Sequence, residues 1–90
     1  MLYLIISRTR AGLEPADMER LAELAKAFYA SVPEGLTLKE NWTEDGGGRT
    51  VAMVETDDAR LVEQIQTPFK PYVDMDVIPL VSIPGWRDAS

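Results

Sequence analysis

Apolar and polar positions alternate along the chain with two different periods. Leu2–Ser7 is a short continuous apolar run rich in β-branched and aromatic residues, the pattern of a strand covered on both faces. Leu2, Leu4 and Ile6 fall on one side of it, and Tyr3, Ile5 and Ser7 on the other. Such a strand belongs in the middle of a sheet. From Pro15 to about Ser31 the period lengthens. Met18, Leu21, Ala22, Ala25, Phe28, Tyr29 and Val32 recur at three- and four-residue steps, which predicts one apolar stripe along a helix. Pro15 suits the first helical position, Asp17 and Glu19 meet the positive end of the helix dipole, and Pro33-Glu34-Gly35 stops the helix.

Alternation returns at Leu36. Leu36, Leu38, Glu40 and Trp42 are predicted on one strand face, with Thr37, Lys39, Asn41 and Thr43 on the other. Asp45-Gly46-Gly47-Gly48 tolerates the positive φ of a hairpin connection. Arg49–Thr56 continues with Val51, Met53 and Glu55 alternating against Ala52, Val54 and Thr56, so the two strands form an antiparallel hairpin. Thr56-Asp57-Asp58 is a helix N-cap cluster. Leu61, Val62, Ile65 and Phe69 give the stripe of a second, shorter helix ended by Thr67-Pro68. Tyr72–Ser82 is the last predicted strand. Val73, Met75, Val77 and Val81 take one face, and Tyr72, Asp74, Asp76, Ile78 and Leu80 the other. Pro79 cannot donate to a ladder, which assigns that position to a sheet edge or a bulge.

The resulting order, β-α-β-β-α-β, is the split pattern of ferredoxin-like α+β folds. Right-handed crossovers place both helices on one face of a four-stranded antiparallel sheet. The first strand is nevertheless apolar on both sides, so the open face needs a cover. A second copy of the chain supplies it most simply, and the expectation is a homodimer with its sheets packed face to face. Residues 1–83 read as a single domain and 84–90 as a tail whose Trp86 is a candidate for docking on the partner.

Composition narrows the chemistry. Ninety residues suffice for one domain. Cysteine and histidine are both absent, which removes thiolate metal sites, a Cys nucleophile, the usual haem ligand and the commonest general base. A net charge of −6 with scattered basic residues argues against nucleic acid and anionic membrane surfaces as partners. No apolar run approaches the ~20 residues of a membrane helix, and Leu2–Ile6 lacks the flanks of a signal peptide. The expected setting is the cytoplasm, and no cofactor is called for.

Several residues invite a functional reading beside a structural one. Trp42 can wall an apolar pocket or stack on a planar substrate, or serve as core or dimer interface. Glu55, at the end of a central strand, is a candidate general acid or base if its setting is apolar, and otherwise one member of an ordinary ion pair. Asp74 and Asp76 lie two apart beside Tyr72. They can share a proton or hold a hard cation such as Mg²⁺, but lacking further ligands they read better as the wet face of an edge strand. Tyr3 is a pocket hydroxyl or a packed ring. Asp57 and Asp58 are explained as caps. No metal site is assigned.

The start MLYLIISRTRAG, the helix opening PADM, PEGLTLKENW before the glycine turn, GGRTVAMVETDD after it and VDMDVIPLVS near the end resemble the DUF3303 family of the dimeric α/β-barrel superfamily. The resemblance covers nearly the whole chain. It implies the βαββαβ fold and a dimer. The superfamily includes cofactor-independent monooxygenases, lactone isomerases, haem-degrading enzymes and members without known activity, so the resemblance leaves function open. Two readings result. The favoured one is a non-catalytic module that binds a small ligand or another protein. The alternative is a cofactor-independent enzyme acting on a small aromatic or lactone-type substrate, held between sheet and helices near Tyr3, Trp42 and Glu55.

Overall fold

The computed structural model describes residues 1–84. Six main elements follow in order: β1 (Leu2–Thr9), α1 (Pro15–Ala30), β2 (Leu36–Thr43), β3 (Arg49–Thr56), α2 (Ala59–Gln66) and β4 (Val73–Leu80). A 3₁₀ turn, Thr67–Phe69, extends α2. The strands form one antiparallel sheet in the order β2-β3-β1-β4. This is the ferredoxin-like βαββαβ fold, with β1 central as its two-sided apolar pattern requires. Pro79 lies on the edge strand β4, opposite Tyr3, where its missing N–H costs the sheet little. Trp86 and the rest of the tail beyond residue 84 lie outside the described residues.

Local chemistry sets the ends of the elements. Pro15 opens α1, and the Asp17 carboxylate accepts the Glu14 backbone N–H at 3.1 Å. At the other hairpin-to-helix junction, Asp58 caps α2 by accepting the Arg60 N–H at 3.0 Å. The buried Thr56 hydroxyl ties this corner together. It donates to the Gly35 carbonyl at 2.7 Å and accepts from the Asp58 N–H at 3.1 Å. The β2–β3 turn needs residues free of a Cβ, since Gly46, Gly47 and Gly48 all have positive φ.

The strand register corrects one expectation. Leu38 pairs with Val54 but Glu40 pairs with Met53, so Lys39 is an extra residue in a β-bulge. A bulge shifts the alternation by one, and with a period of two that reverses every later side chain. Leu36 and Leu38 therefore face the helices, whereas Glu40 and Trp42 face the open side. The four do not share a face. The final strand is also shorter than its apolar pattern suggests. Tyr72 lies in the preceding turn, where its carbonyl accepts the Arg10 N–H at 2.9 Å, and Val81 and Ser82 lie past the strand end.

The core lies between the sheet and the helices. Ile5, Leu36, Val54 and Val62 are buried together, with Tyr3, Leu38, Ile65 and Met75 packed against them. Helix α1 is different: none of its residues is buried. It stands off from the sheet, and the space beneath it is the main feature of the molecule. On the other side of the sheet, Leu2, Leu4, Ile6, Val51, Met53 and Leu80 are half-buried, while Ile78 and Trp42 are exposed.

Candidate functional site: a cleft between the sheet and the first helix

The space under α1 is a cavity of about 320 Å³, within the range of small-molecule sites. Its roof is Leu21, Ala25, Phe28 and Tyr29 of α1, with Ile65 of α2 and Phe69 of the 3₁₀ turn at one side. Phe28 and Tyr29 meet edge to face, their centroids 5.3 Å apart. The floor comes from all four strands, because each contributes its helix-facing residues.

The cross-strand pairs give this floor a gradient of polarity. Thr43 lies opposite Thr50, and Thr50 opposite Ser7, so three hydroxyls form a row across β2, β3 and β1. The next row holds Asn41, Ala52 and Ile5. Beyond it Val54 is fully buried, while on β4 Met75 ends the hydroxyl row opposite Ser7 and Val73 lies opposite Thr9. The floor can exchange hydrogen bonds on β2, β3 and β1 along this row, and on β4 it presents only hydrocarbon and thioether surface. Among the described lining residues there is no carboxylate. Arg49 touches the cavity, but it lies opposite Arg8 on the open-face side of β3. Its guanidinium is held there by Glu44 in a two-point pair at 3.0 and 3.2 Å, which pushes the Glu44 carboxyl below its ordinary range.

The residues singled out from the sequence lie elsewhere. Glu55 is exposed on the open face, opposite Leu2 and Thr37. Trp42 is 66% exposed on the same face, opposite Val51. Asp76 pairs with Arg8 at 3.2 Å and Asp74 with Arg10 at 3.3 Å, each carboxylate with its own cation. Among the described residues no three potential ligands are grouped to hold a metal ion. Tyr3 faces the helices and packs on the core, and Tyr72 is in a turn. The sheet thus separates Tyr3 from Trp42 and Glu55, and none of the six lines the cleft. The two β2 residues that line it, Asn41 and Thr43, were hidden by the bulge. Without the shift at Lys39, Asn41 and Thr43 belong to the opposite face from Leu36 and Leu38. Ser7, on the Tyr3 and Ile5 side of β1, and Thr50, on the Ala52 and Val54 side of β3, were polar signals available from alternation.

The βαββαβ fold has solved relatives. Muconolactone isomerase superposes with a TM-score of 0.68 at 20% identity over 93% of this chain and 92% of that one. An antibiotic biosynthesis monooxygenase gives 0.58 at 13% over 93% and 100%, and a NIPSNAP domain protein from Burkholderia xenovorans gives 0.54 at 20% over 93% and 96%. At these identities the likeness is one of fold. A search of curated proteins finds no match. The chain belongs to the DUF3303 family, a domain of unknown function whose model matches residues 1–90. No helix among the described residues is long and apolar enough to cross a membrane.

Proposed function

We propose that this chain is a binding module for a small molecule, which it holds in the cleft beneath α1. The observation that carries this reading is the cleft itself: about 320 Å³ of space, walled by apolar side chains and crossed by a row of hydroxyls. A helix that buries none of its own residues leaves apolar surface that a ligand can cover. Binding rather than catalysis is favoured by the lining, in which no described carboxylate is placed to move a proton. The catalytic alternative draws on the names of the structural neighbours, an isomerase and a monooxygenase, and on Tyr29 as a phenol in the cleft wall.

The module works as a homodimer in this reading, joined through the open sheet face. That face carries Leu4, Ile6, Val51 and Met53 at its centre, with Trp42 and Ile78 toward the edges. An apolar surface of this extent on a small chain calls for a partner. Trp42 then packs between subunits, and Glu55 and Asp76 sit near the same interface.

A thermal-shift screen against phenols, quinones and lactones tests the cleft, with Ala52→Phe as the control that fills it. A hit that raises the melting temperature of the parent chain and not of the variant is the expected result. No stabilising compound in the whole panel, or hits indifferent to Ala52→Phe, would remove the proposal.

A further inference from the structure

We infer that the cleft selects uncharged ligands: an apolar body bearing one hydroxyl or carbonyl group, which meets the row Thr43, Thr50 and Ser7. The inference rests on the cleft being a binding site and goes further by naming what enters it. Three observations carry it together.

The first is the chemistry of the polar row. Hydroxyls and the Asn41 amide both donate and accept, so they match a neutral hydroxyl or carbonyl. The hydroxyl of Thr43 already points to the Arg49 carbonyl at 3.4 Å, and among the described residues it is the one member of the row with an internal partner. Ser7 and Thr50 are left to a ligand.

The second is the placing of charge. The cation nearest the row is Arg49, and its strand position sends it to the open face, where Glu44 holds it at two points. Arg8, next across the sheet, is turned the same way and paired with Asp76 at 3.2 Å. Arg10 is paired with Asp74 at 3.3 Å. The sheet therefore carries its ions on one side and its neutral polar groups on the other. A carboxylate in the cleft would find no cation, and an ammonium no carboxylate. Thr43 and Thr50 are exposed, so the cost falls where the ligand leaves water for the apolar floor of Val54 and Val73, and there an ion without a counter-ion costs far more than a neutral group.

The third is the roof. Leu21, Ala25 and the Phe28–Tyr29 pair offer hydrocarbon and ring edges. These suit a flat apolar body and offer an ion no compensation beyond a weak contact with an aromatic face.

The test uses the full chain and a matched set of probes at pH 7: 2-naphthol, naphthalene, 2-naphthoate and 2-naphthylmethylamine. Amide chemical shifts in a nitrogen-15 titration report both affinity and location. The neutral naphthol should bind at least tenfold more tightly than either ion, with shifts concentrated at Ser7, Thr50 and Ala52. Thr50→Val removes one hydroxyl at nearly constant shape. It should weaken naphthol about fivefold, as expected for one neutral hydrogen bond, and leave naphthalene unchanged. Asn41→Lys brings a cation to the row and should turn the preference toward 2-naphthoate. If the naphthyl set binds in the cleft but an ion equals naphthol, this inference fails while the cleft reading stands. Indifference of naphthol to Thr50→Val likewise overturns the role given to the row. If no member of the set shifts the cleft amides, both readings fall.

Discussion

Leu38 and Trp42 are four positions apart on one strand, yet they face opposite sides of the sheet, because Lys39 between them has no partner on β3. In a regular strand they would share a face. The bulge sends the largest side chain of the hairpin away from the helices and brings Asn41 and Thr43 under α1. The cleft exists in its present form because of that one extra residue.

Deleting Lys39 should therefore leave every later side chain of β2 on its present face, because the unpaired residue is the one removed. Without it Leu38, Glu40, Asn41 and Trp42 alternate regularly against Val54, Met53, Ala52 and Val51, so Asn41 stays under α1 and the indole stays on the open side. Lys39→Ala keeps the bulge and should stay within about 0.5 kcal/mol, as surface substitutions do. Urea denaturation of the two variants compares them directly. A deletion variant that loses the ~1–3 kcal/mol of an indole forced under α1 would contradict the assigned register.

The open face makes a second expectation. Met53 sits at its centre, between Leu4 on β1 and Glu40 on β2. In the proposed homodimer, Met53→Glu places a charge inside the interface and should give a monomer in light scattering at micromolar concentration, where the parent is a dimer. In a Trp86→Phe background, the 66% exposed indole of Trp42 should be protected from acrylamide in the parent dimer. Met53→Glu should make it fully quenchable. A monodisperse parent monomer, with Trp42 quenched equally in both, would end the face-to-face arrangement.

Much of this architecture was legible from side-chain spacing. The doubly apolar β1, the stripe of α1, the Gly46–Gly48 turn and the Asp58 cap all depend on neighbours in sequence, and local pattern reports them well. The site was less so. Glu55, Trp42, Asp74 and Asp76 stood out as chemically rich residues, but the sheet gathers them on the face opposite the cleft. Which face a residue takes past Lys39 depends on a pairing irregularity that Leu36–Thr43 does not announce, since a bulged strand and a regular one share the same composition. The hydroxyls of Ser7, Thr43 and Thr50 come from three strands and become a row only through the register. No spacing within one segment encodes that.

Two surface carboxylates give the molecule a defined acid response. Arg49 lowers the pKa of Glu44, and Arg60 lowers that of Asp58, in both cases mainly through the side-chain hydrogen bond. A carboxyl depressed in the folded state stabilises it above the unfolded pKa, near 4. That contribution is lost as pH falls through the lower folded value. The urea midpoint should hold constant from pH 7 to about 5 and fall below pH 4. Because both pairs are exposed, salt should flatten the response. Glu44→Gln combined with Asp58→Asn should reduce the slope between pH 5 and 3. An unchanged slope in that double variant would assign the acid sensitivity to other groups.

Gly35 joins α1 to β2 with φ of +88°, and a Cβ built on it would lie 3.3 Å from Cδ1 of Leu61 in α2. Its carbonyl also receives the buried Thr56 hydroxyl at 2.7 Å, so the backbone there has little room to relax. Gly46 has a similar φ of +85° in the exposed hairpin turn, with nothing within 4 Å of the added atom. Alanine at either position carries the left-handed strain, about 1–2 kcal/mol. Only Gly35→Ala also crowds Leu61 and pulls on the Thr56 hydrogen bond. Gly35→Ala should therefore lower stability measurably more than Gly46→Ala, and Leu61→Ala should remove the part of the difference that comes from the contact. Equal losses in the two glycine variants, unaffected by Leu61→Ala, would mean that the α1–β2 corner moves freely and does not fix the helices over the cleft.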